Sequence, residues 1–218
     1  MDRLYSRLSR TQIISLLAIG IPSVIFLELA EDVWQSEGFW WDSRMTLAIH
    51  GLANPWLTQI VRFITFTGGI GSFLIFAISM VWLWRQQRKH QAQLLLVCFM
   101  GSALINELLK LFFVRPRPTL FPPLIAVGGY SFPSGHSTAG ITLFGVLAIF
   151  LWHDRHYGWA IAAAIWGLLI GISRVYLGVH YPSDVLAAWM AGFLWILVTF
   201  TVIHWIQFGK MSWEENHE

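Results

Sequence analysis

SRVYLGVHYPSD, residues 173–184, joins two strongly apolar runs, about 158–177 and 184–206. A helix that spans a bilayer needs roughly 20 mostly apolar residues, and each run supplies them. The join carries Ser173, Arg174, His180 and Asp184. Charged and titratable groups are expensive beside hydrocarbon, so a cluster of them at the mouth of a helical hairpin marks a functional site by default. Pro182 suits the first turn of a helix. The second run therefore starts near it, with Asp184 in its first turn, four residues after His180.

Outward from this hairpin, further apolar runs occupy about 11–30, 68–86, 92–113 and 136–153. The expected fold is all-α: a polytopic membrane protein of six spans in a single domain, residues 1–218, with the functional core over 110–184. Between the first two spans, 31–67 is too mixed in polarity to cross. Phe39, Trp40, Trp41 and Trp56 lie there among Asp42, Arg44 and Arg62, the composition of a short helix lying along the interface. Arg3, Arg7 and Arg10 precede the first run, but Glu28, Glu31 and Asp32 follow it without a small-residue cleavage pattern. It reads as a retained span rather than a signal peptide.

Composition supports the membrane reading. The chain is 56% hydrophobic and 12% charged, with a mean hydropathy of +0.59, whereas soluble domains carry about 25% charged residues. Thirteen Trp and sixteen Phe suit aromatic belts at both interfaces. A formal net charge of +2 and the lack of a basic tract argue against a nucleic-acid partner. The single cysteine, Cys98, excludes an intramolecular disulfide and reads as packing in an apolar run. Oligomeric state is not legible.

Orientation follows from Lys and Arg near the span ends. One side holds Arg3, Arg7, Arg10, Arg85, Arg88, Lys89, Arg155 and Lys210; the other holds Arg44, Arg62, Lys110, Arg115, Arg117 and Arg174. Lys110, Arg117 and Arg174 have a chemical reason for their place, and without them the balance is eight against three. Both termini are then cytoplasmic, and the polar clusters face outward.

Two more clusters flank the loop between spans three and four: Lys110 with Arg117-Pro118, and Pro133-Ser134-Gly135-His136. This loop and the 173–184 join are separated by two spans and emerge on the same side, so the three clusters can meet. Together they hold three cations, two histidines and one carboxylate, the parts needed for phosphoryl transfer through a histidine. A transferring phosphoryl group spreads negative charge over three oxygens, and stabilising that charge is most of the catalytic task. Lys110, Arg117 and Arg174 supply it, the arginines through forked donors. Ser134 and Gly135 open the fourth span, where free N–H groups and the helix dipole favour an anion. Asp184 can hold one ring nitrogen of His180 and aim the other at phosphorus. His136 is left to protonate the leaving oxygen and then activate water.

Taken singly, each residue has an ordinary reading. His180 or His136 would be an interfacial histidine, Lys110 and Arg117 snorkelling cations, Arg174 an anchor, and Asp184 an acid favoured by the dipole. Those readings must all hold together on one face, which is the weaker account. Glu107, three residues before Lys110, orients or neutralises it. Arg115 falls outside the three clusters; it serves a diphosphate or is merely solvated, the latter preferred. Glu28 and His204 read as interfacial. His153-Asp154-Arg155-His156 raises a metal only weakly, since it is a tight loop on the cytoplasmic side. His50, His90 and His217 give no signal.

The pattern K-x6-R-P, P-S-G-H and S-R-x5-H-x3-D resembles the signature of the type 2 phosphatidic acid phosphatase superfamily, over about 110–184 and the six-span layout. That resemblance implies metal-independent hydrolysis of a lipid phosphate or diphosphate through a phosphohistidine, with no cofactor. It makes His180 the nucleophile, Asp184 its partner and His136 the acid/base; Lys110, Arg117, Ser134, Gly135 and Arg174 bind phosphate. Phosphatidic acid, phosphatidylglycerol phosphate and undecaprenyl diphosphate are the substrates it suggests. Residues before 110 carry no motif. The superfamily's haloperoxidases are soluble, which disfavours that chemistry for so apolar a chain. Transfer to an acceptor other than water is the alternative on the same scaffold. An anion transporter is a more distant one, since no repeat and no broken motif-bearing span is legible.

Overall fold

The computed structural model describes residues 9–214, and helices are the only regular secondary structure among them. The chain runs α1 Arg10–Trp34, α2 Trp40–His50, α3 Pro55–Phe66, α4 Ile70–Arg85, α5 Lys89–Phe113, α6 Gly135–His153, α7 Tyr157–Tyr176 and α8 Pro182–Glu214. Arg3, Arg7 and His217, used or weighed above, lie outside the described residues, as do the side chains of His204 and Lys210.

Five of these helices are long and apolar enough to cross a membrane: α1, α5, α6, α7 and α8. The sixth candidate is a bent pair of shorter helices. At 1.5 Å per residue the 16 residues of α4 reach about 24 Å, short of the roughly 30 Å hydrocarbon core. α3 and α4 meet the length together, bent by 48° at Thr67-Gly68-Gly69. The molecule is a multi-pass membrane protein.

Within 31–67, expected to hold a short helix before the second span, lie the end of α1, the short α2 and then α3. α1 continues to Trp34, carrying Glu31 and Asp32 within it. Two helices follow, and the second belongs to the next crossing. Asn54 starts α3 by accepting a hydrogen bond from the Leu57 N–H at 2.9 Å, with Pro55 in the first turn. Two glycines where a span should continue interrupt it. Asp42, which weighed against insertion, is only 2% exposed and serves as an internal partner.

α6 is the centre of the bundle, packed on α5, α7 and α8, while α1 lies along α8 and α3 along α7. α6 and α7 approach backbone to backbone where Gly140 and Gly167 face each other; a methyl on Gly167 would stand 2.9 Å from the Gly140 carbonyl oxygen. Small residues at such crossings permit close helix packing in lipid. Below them, Leu83, Leu95, Cys98, Phe99, Leu143, Val146 and Ile196 form a closed core, so Cys98 is packing as its surroundings imply. α5 ends at Val114, in the left-handed region (φ +50°), ahead of Pro116 and Pro118.

Candidate active site

The three clusters converge at one end of α6, α7 and α8. α7 ends on Arg174 to Tyr176, and the chain turns through Gly178 (φ +74°), a conformation open to glycine. A side chain there would also meet Phe121 of the 114–134 loop at 2.3 Å. That turn delivers His180, 2% exposed, to the start of α8.

His180 Nδ1 lies 3.4 Å from Asp184 Oδ2 and 3.4 Å from Ser131 Oγ. Asp184 is fully buried. Its Oδ2 accepts from the Ser131 hydroxyl at 2.5 Å and from the Tyr181 N–H at 2.8 Å, which fixes the carboxylate behind the ring. With Nδ1 turned to Asp184, the other nitrogen, Nε2, faces Arg117 Nη1 at 3.2 Å. Burial pushes the His180 pKa down to about 4, against the opposing pull of Asp184, so the ring is neutral near pH 7. A neutral imidazole is the form able to attack.

Two of the cations, Arg117 and Arg174, lie within electrostatic reach of His180. Arg117 is held flat by four hydrogen-bonding contacts. Nη1 donates to the Val179 carbonyl at 2.7 Å, Nη2 to Gly128 at 2.8 Å and Nε to Gly129 at 3.0 Å, with His180 as the fourth. Burial lowers its pKa, partly offset by Asp184. Arg174 is 2% exposed; its Nη1 donates to Thr65 Oγ1 at 2.6 Å, and its Nε has no acceptor among the described residues. Lys110 pairs with Glu107 at 3.3 Å, one of the two outcomes foreseen for that residue, and its Nζ stands beside Gly135, 3.2 Å from where a methyl would be. Gly135 thus gives the lysine access to the first turn of α6.

Ser134 is buried at the N-cap of α6, with its N–H donating to the Asp184 carbonyl at 3.1 Å and its Oγ accepting from Ser137 at 2.8 Å. Its own hydroxyl proton is left for another acceptor. His136, half-buried on that turn, lies within electrostatic reach of Arg174, His180, Lys110 and Arg117. All eight singled-out residues are therefore in one place.

Arg115 is a correction. It is not solvated, and both of its terminal nitrogens are already engaged by protein groups. Nη1 donates to Asp184 Oδ1 at 2.5 Å and to Ser183 Oγ at 2.8 Å, and Nη2 to Asp42 Oδ2 at 2.9 Å. Its plane stacks on Tyr181, 4.4 Å from the ring centroid. Asp42 in turn accepts from the Ser183 N–H at 2.9 Å and its hydroxyl at 2.5 Å. Burial raises the Asp42 pKa, opposed first by Ser183 and then by Arg115. Asp42, Thr65 and Ser131 are thus parts of the site that lie outside the three clusters. The signal for Asp42 was a lone acid in an aromatic segment, and for Ser131 its place two residues before Pro133; neither spacing names a partner. At the opposite end of the bundle Asp154 pairs with Arg88, and among the described residues no three His, Cys, Asp or Glu side chains gather to hold a metal ion.

The chain is similar to known proteins. A phosphatidylglycerophosphatase B of Bacillus subtilis is 34% identical over 161 residues, 70% of this chain and 78% of that protein. The undecaprenyl-diphosphatase BcrC of the same organism is 37% identical over 149 residues, 65% and 73% of the two chains. The crystal structure of the transmembrane PAP2-type phosphatidylglycerolphosphate phosphatase from Bacillus subtilis superimposes with a TM-score of 0.77 at 30% identity. It covers 87% of this chain and 98% of that one. Residues 91–208, which contain all three clusters, match the PAP2 superfamily, and it is to this superfamily that the chain belongs.

Proposed function

We propose that the protein hydrolyses the phosphate head group of a membrane lipid, through a phosphohistidine formed on His180. His180 Nε2 attacks phosphorus, the bond from phosphorus to the lipid oxygen breaks, and His136 delivers a proton to that oxygen. His136 then takes a proton from water, which attacks the phosphohistidine and releases inorganic phosphate. Arg117, Arg174 and Lys110 hold the three equatorial oxygens, with the Ser134–Gly135 turn behind them.

The observation that carries this reading is Arg174. A buried cation whose Nε has no acceptor costs free energy unless an anion completes it. It lies within electrostatic reach of both Arg117 and His180, whose Nε2 faces Arg117, while the carboxylate touching His180, Asp184, is on the Nδ1 side. Anion site and nucleophile coincide. The substrate's tail stays in lipid while its head reaches the cations. The names of the two Bacillus relatives, a phosphatidylglycerophosphatase and an undecaprenyl-diphosphatase, support taking phosphatidylglycerol phosphate and undecaprenyl diphosphate as the first candidates to assay. The site faces outward from the cell membrane, with both termini in the cytoplasm.

Purified protein in detergent, given a panel of lipid mono- and diphosphates, is expected to release inorganic phosphate equally with and without EDTA. Orthovanadate, which takes up the five-coordinate geometry of the transfer, is expected to compete with substrate more tightly than phosphate does, and to weaken on Arg174→Ala. Activity that collapses in EDTA and returns with magnesium would overturn the mechanism.

A further inference from the structure

The break in the second crossing falls at the active site. Thr67-Gly68-Gly69 separates α3 from α4, and its backbone lies directly against the first turn of α6. A methyl built on Gly69 would stand 2.7 Å from His136 Nε2 and 3.4 Å from both neighbouring ring carbons. A methyl on Gly68 would meet Ile170 Cγ2 at 2.2 Å and the His136 carbonyl oxygen at 3.2 Å. One turn earlier in α3, Thr65 Oγ1 accepts from Arg174 Nη1 at 2.6 Å. Five consecutive residues thus touch both the histidine that would deliver the proton and the arginine that would clamp the phosphate.

The break cannot easily give way. Thr67 Oγ1 accepts from Trp166 Nε1 of α7 at 2.9 Å and donates to the Ile64 carbonyl at 2.7 Å. The Gly69 N–H donates to the Phe66 carbonyl at 3.1 Å, and its own carbonyl accepts from both the N–H and the hydroxyl of buried Ser72, at 3.0 and 2.6 Å. By contrast, the His136 imidazole has no hydrogen-bond partner among the described residues. If a side chain were added at 69, the imidazole is the party that would move, and the atom displaced is Nε2.

We infer that residues 65–69 form a fourth segment of the active site, in which Gly69 preserves the space that the His136 imidazole works in and Thr65 fixes the Arg174 guanidinium. Both are positioning residues, and the inference rests on His136 and Arg174 acting as proposed above. It assigns a role to a stretch outside the three signature clusters. It also gives the 48° bend a purpose: a straight helix would carry its side chains past the site, whereas the break presents bare backbone to the ring.

The test is a double-mutant cycle, since only residues that act on one another depart from additivity. Gly69→Ala is expected to lower kcat on a lipid monophosphate by about tenfold or more, within the range of a general acid, with KM changed by less than about threefold. The loss should shrink on p-nitrophenyl phosphate, whose leaving oxygen needs little protonation. In a His136→Ala background the same substitution should cost less than about twofold more, because the clash has gone. Equal loss in both backgrounds overturns the role of Gly69. So does full activity in His136→Ala alongside impaired Gly69→Ala; that outcome also removes His136 as the acid, while phosphohistidine formation on His180 stands or falls separately. Thr65→Val provides an arm that adds no bulk. It should weaken vanadate inhibition about tenfold, with Thr65→Ser restoring it, as expected for loss of one hydrogen bond to a charged group. Unchanged vanadate inhibition in a folded Thr65→Val protein overturns that half, and it decides the segment's role should Gly69→Ala fail to fold.

Discussion

At the scale of single residues, His180, the proposed nucleophile, shows what burial does to a histidine. The unfolded chain holds its histidines near 6.5 and the folded site near 4. Between those values the unfolded state binds more protons, so this residue removes stability as pH falls through that window. In return the ring stays neutral, and able to attack, well below pH 6.5. Phosphoenzyme trapped by rapid quench from labelled substrate is therefore expected to reach the same amplitude at pH 7.5 and 5.5, and to be absent in His180→Ala. An amplitude falling with a midpoint near 6.5 would mean that His180 is solvated and protonated like a free histidine. The eight residues of the site were legible because each cluster keeps its chemistry in a short sequence window, at spacings that the topology then brings together. Thr65 and Asp42 were not. A threonine in an apolar helix and one acid among tryptophans acquire meaning only from partners more than 100 residues away, Arg174 and Ser183. Arg115 was misread for the same reason: nothing beside it in the chain says that two carboxylates wait for it.

At the scale of elements, five spans were readable as uninterrupted apolar runs, with ends shifted by a few residues by caps and prolines. The sixth, expected over 68–86, was readable in its α4 half; its pairing with α3 across the 48° bend was not, because a helix broken at glycines interrupts the apolar run and its more polar half looks interfacial. What ties that early region to the late one is Arg115. It joins α2, through Asp42, to the first turn of α8, through Ser183 and Asp184, all three of them almost wholly buried. Removing one member of such a cluster leaves charge uncompensated and typically costs about 3–5 kcal/mol. Arg115→Ala is expected to lower the unfolding temperature in detergent and to reduce kcat, since Asp184 loses a support, while KM for mono- and diphosphates changes alike. A rise in KM confined to diphosphates would show instead that Arg115 touches the substrate.

At the scale of the whole molecule, the proposed outward-facing site rests on the charge balance, with Arg85, Arg88, Lys89 and Arg155 at the far end. In a Cys98→Ala background, Thr119→Cys is expected to react with an impermeant maleimide in intact cells, and Gln86→Cys only after the membrane is opened. The reverse pattern would put the chemistry in the cytoplasm. The Asp42–Arg115–Asp184 cluster carries a further consequence, for the order in which the protein is made. Its members belong to the second helix, the loop after the fifth and the start of the eighth. During synthesis, Asp42 and Arg115 leave the ribosome long before Asp184 does, and the cluster cannot close until the last helix has entered the membrane. A nascent chain stopped short of residue 184 therefore carries Arg115 without one of its carboxylates, and Asp42 without Ser183. That is a polar flaw within an otherwise apolar bundle, of the kind that membrane proteases and chaperones recognise. The carboxylate proposed to hold His180 is thus also the last group needed to close the cluster.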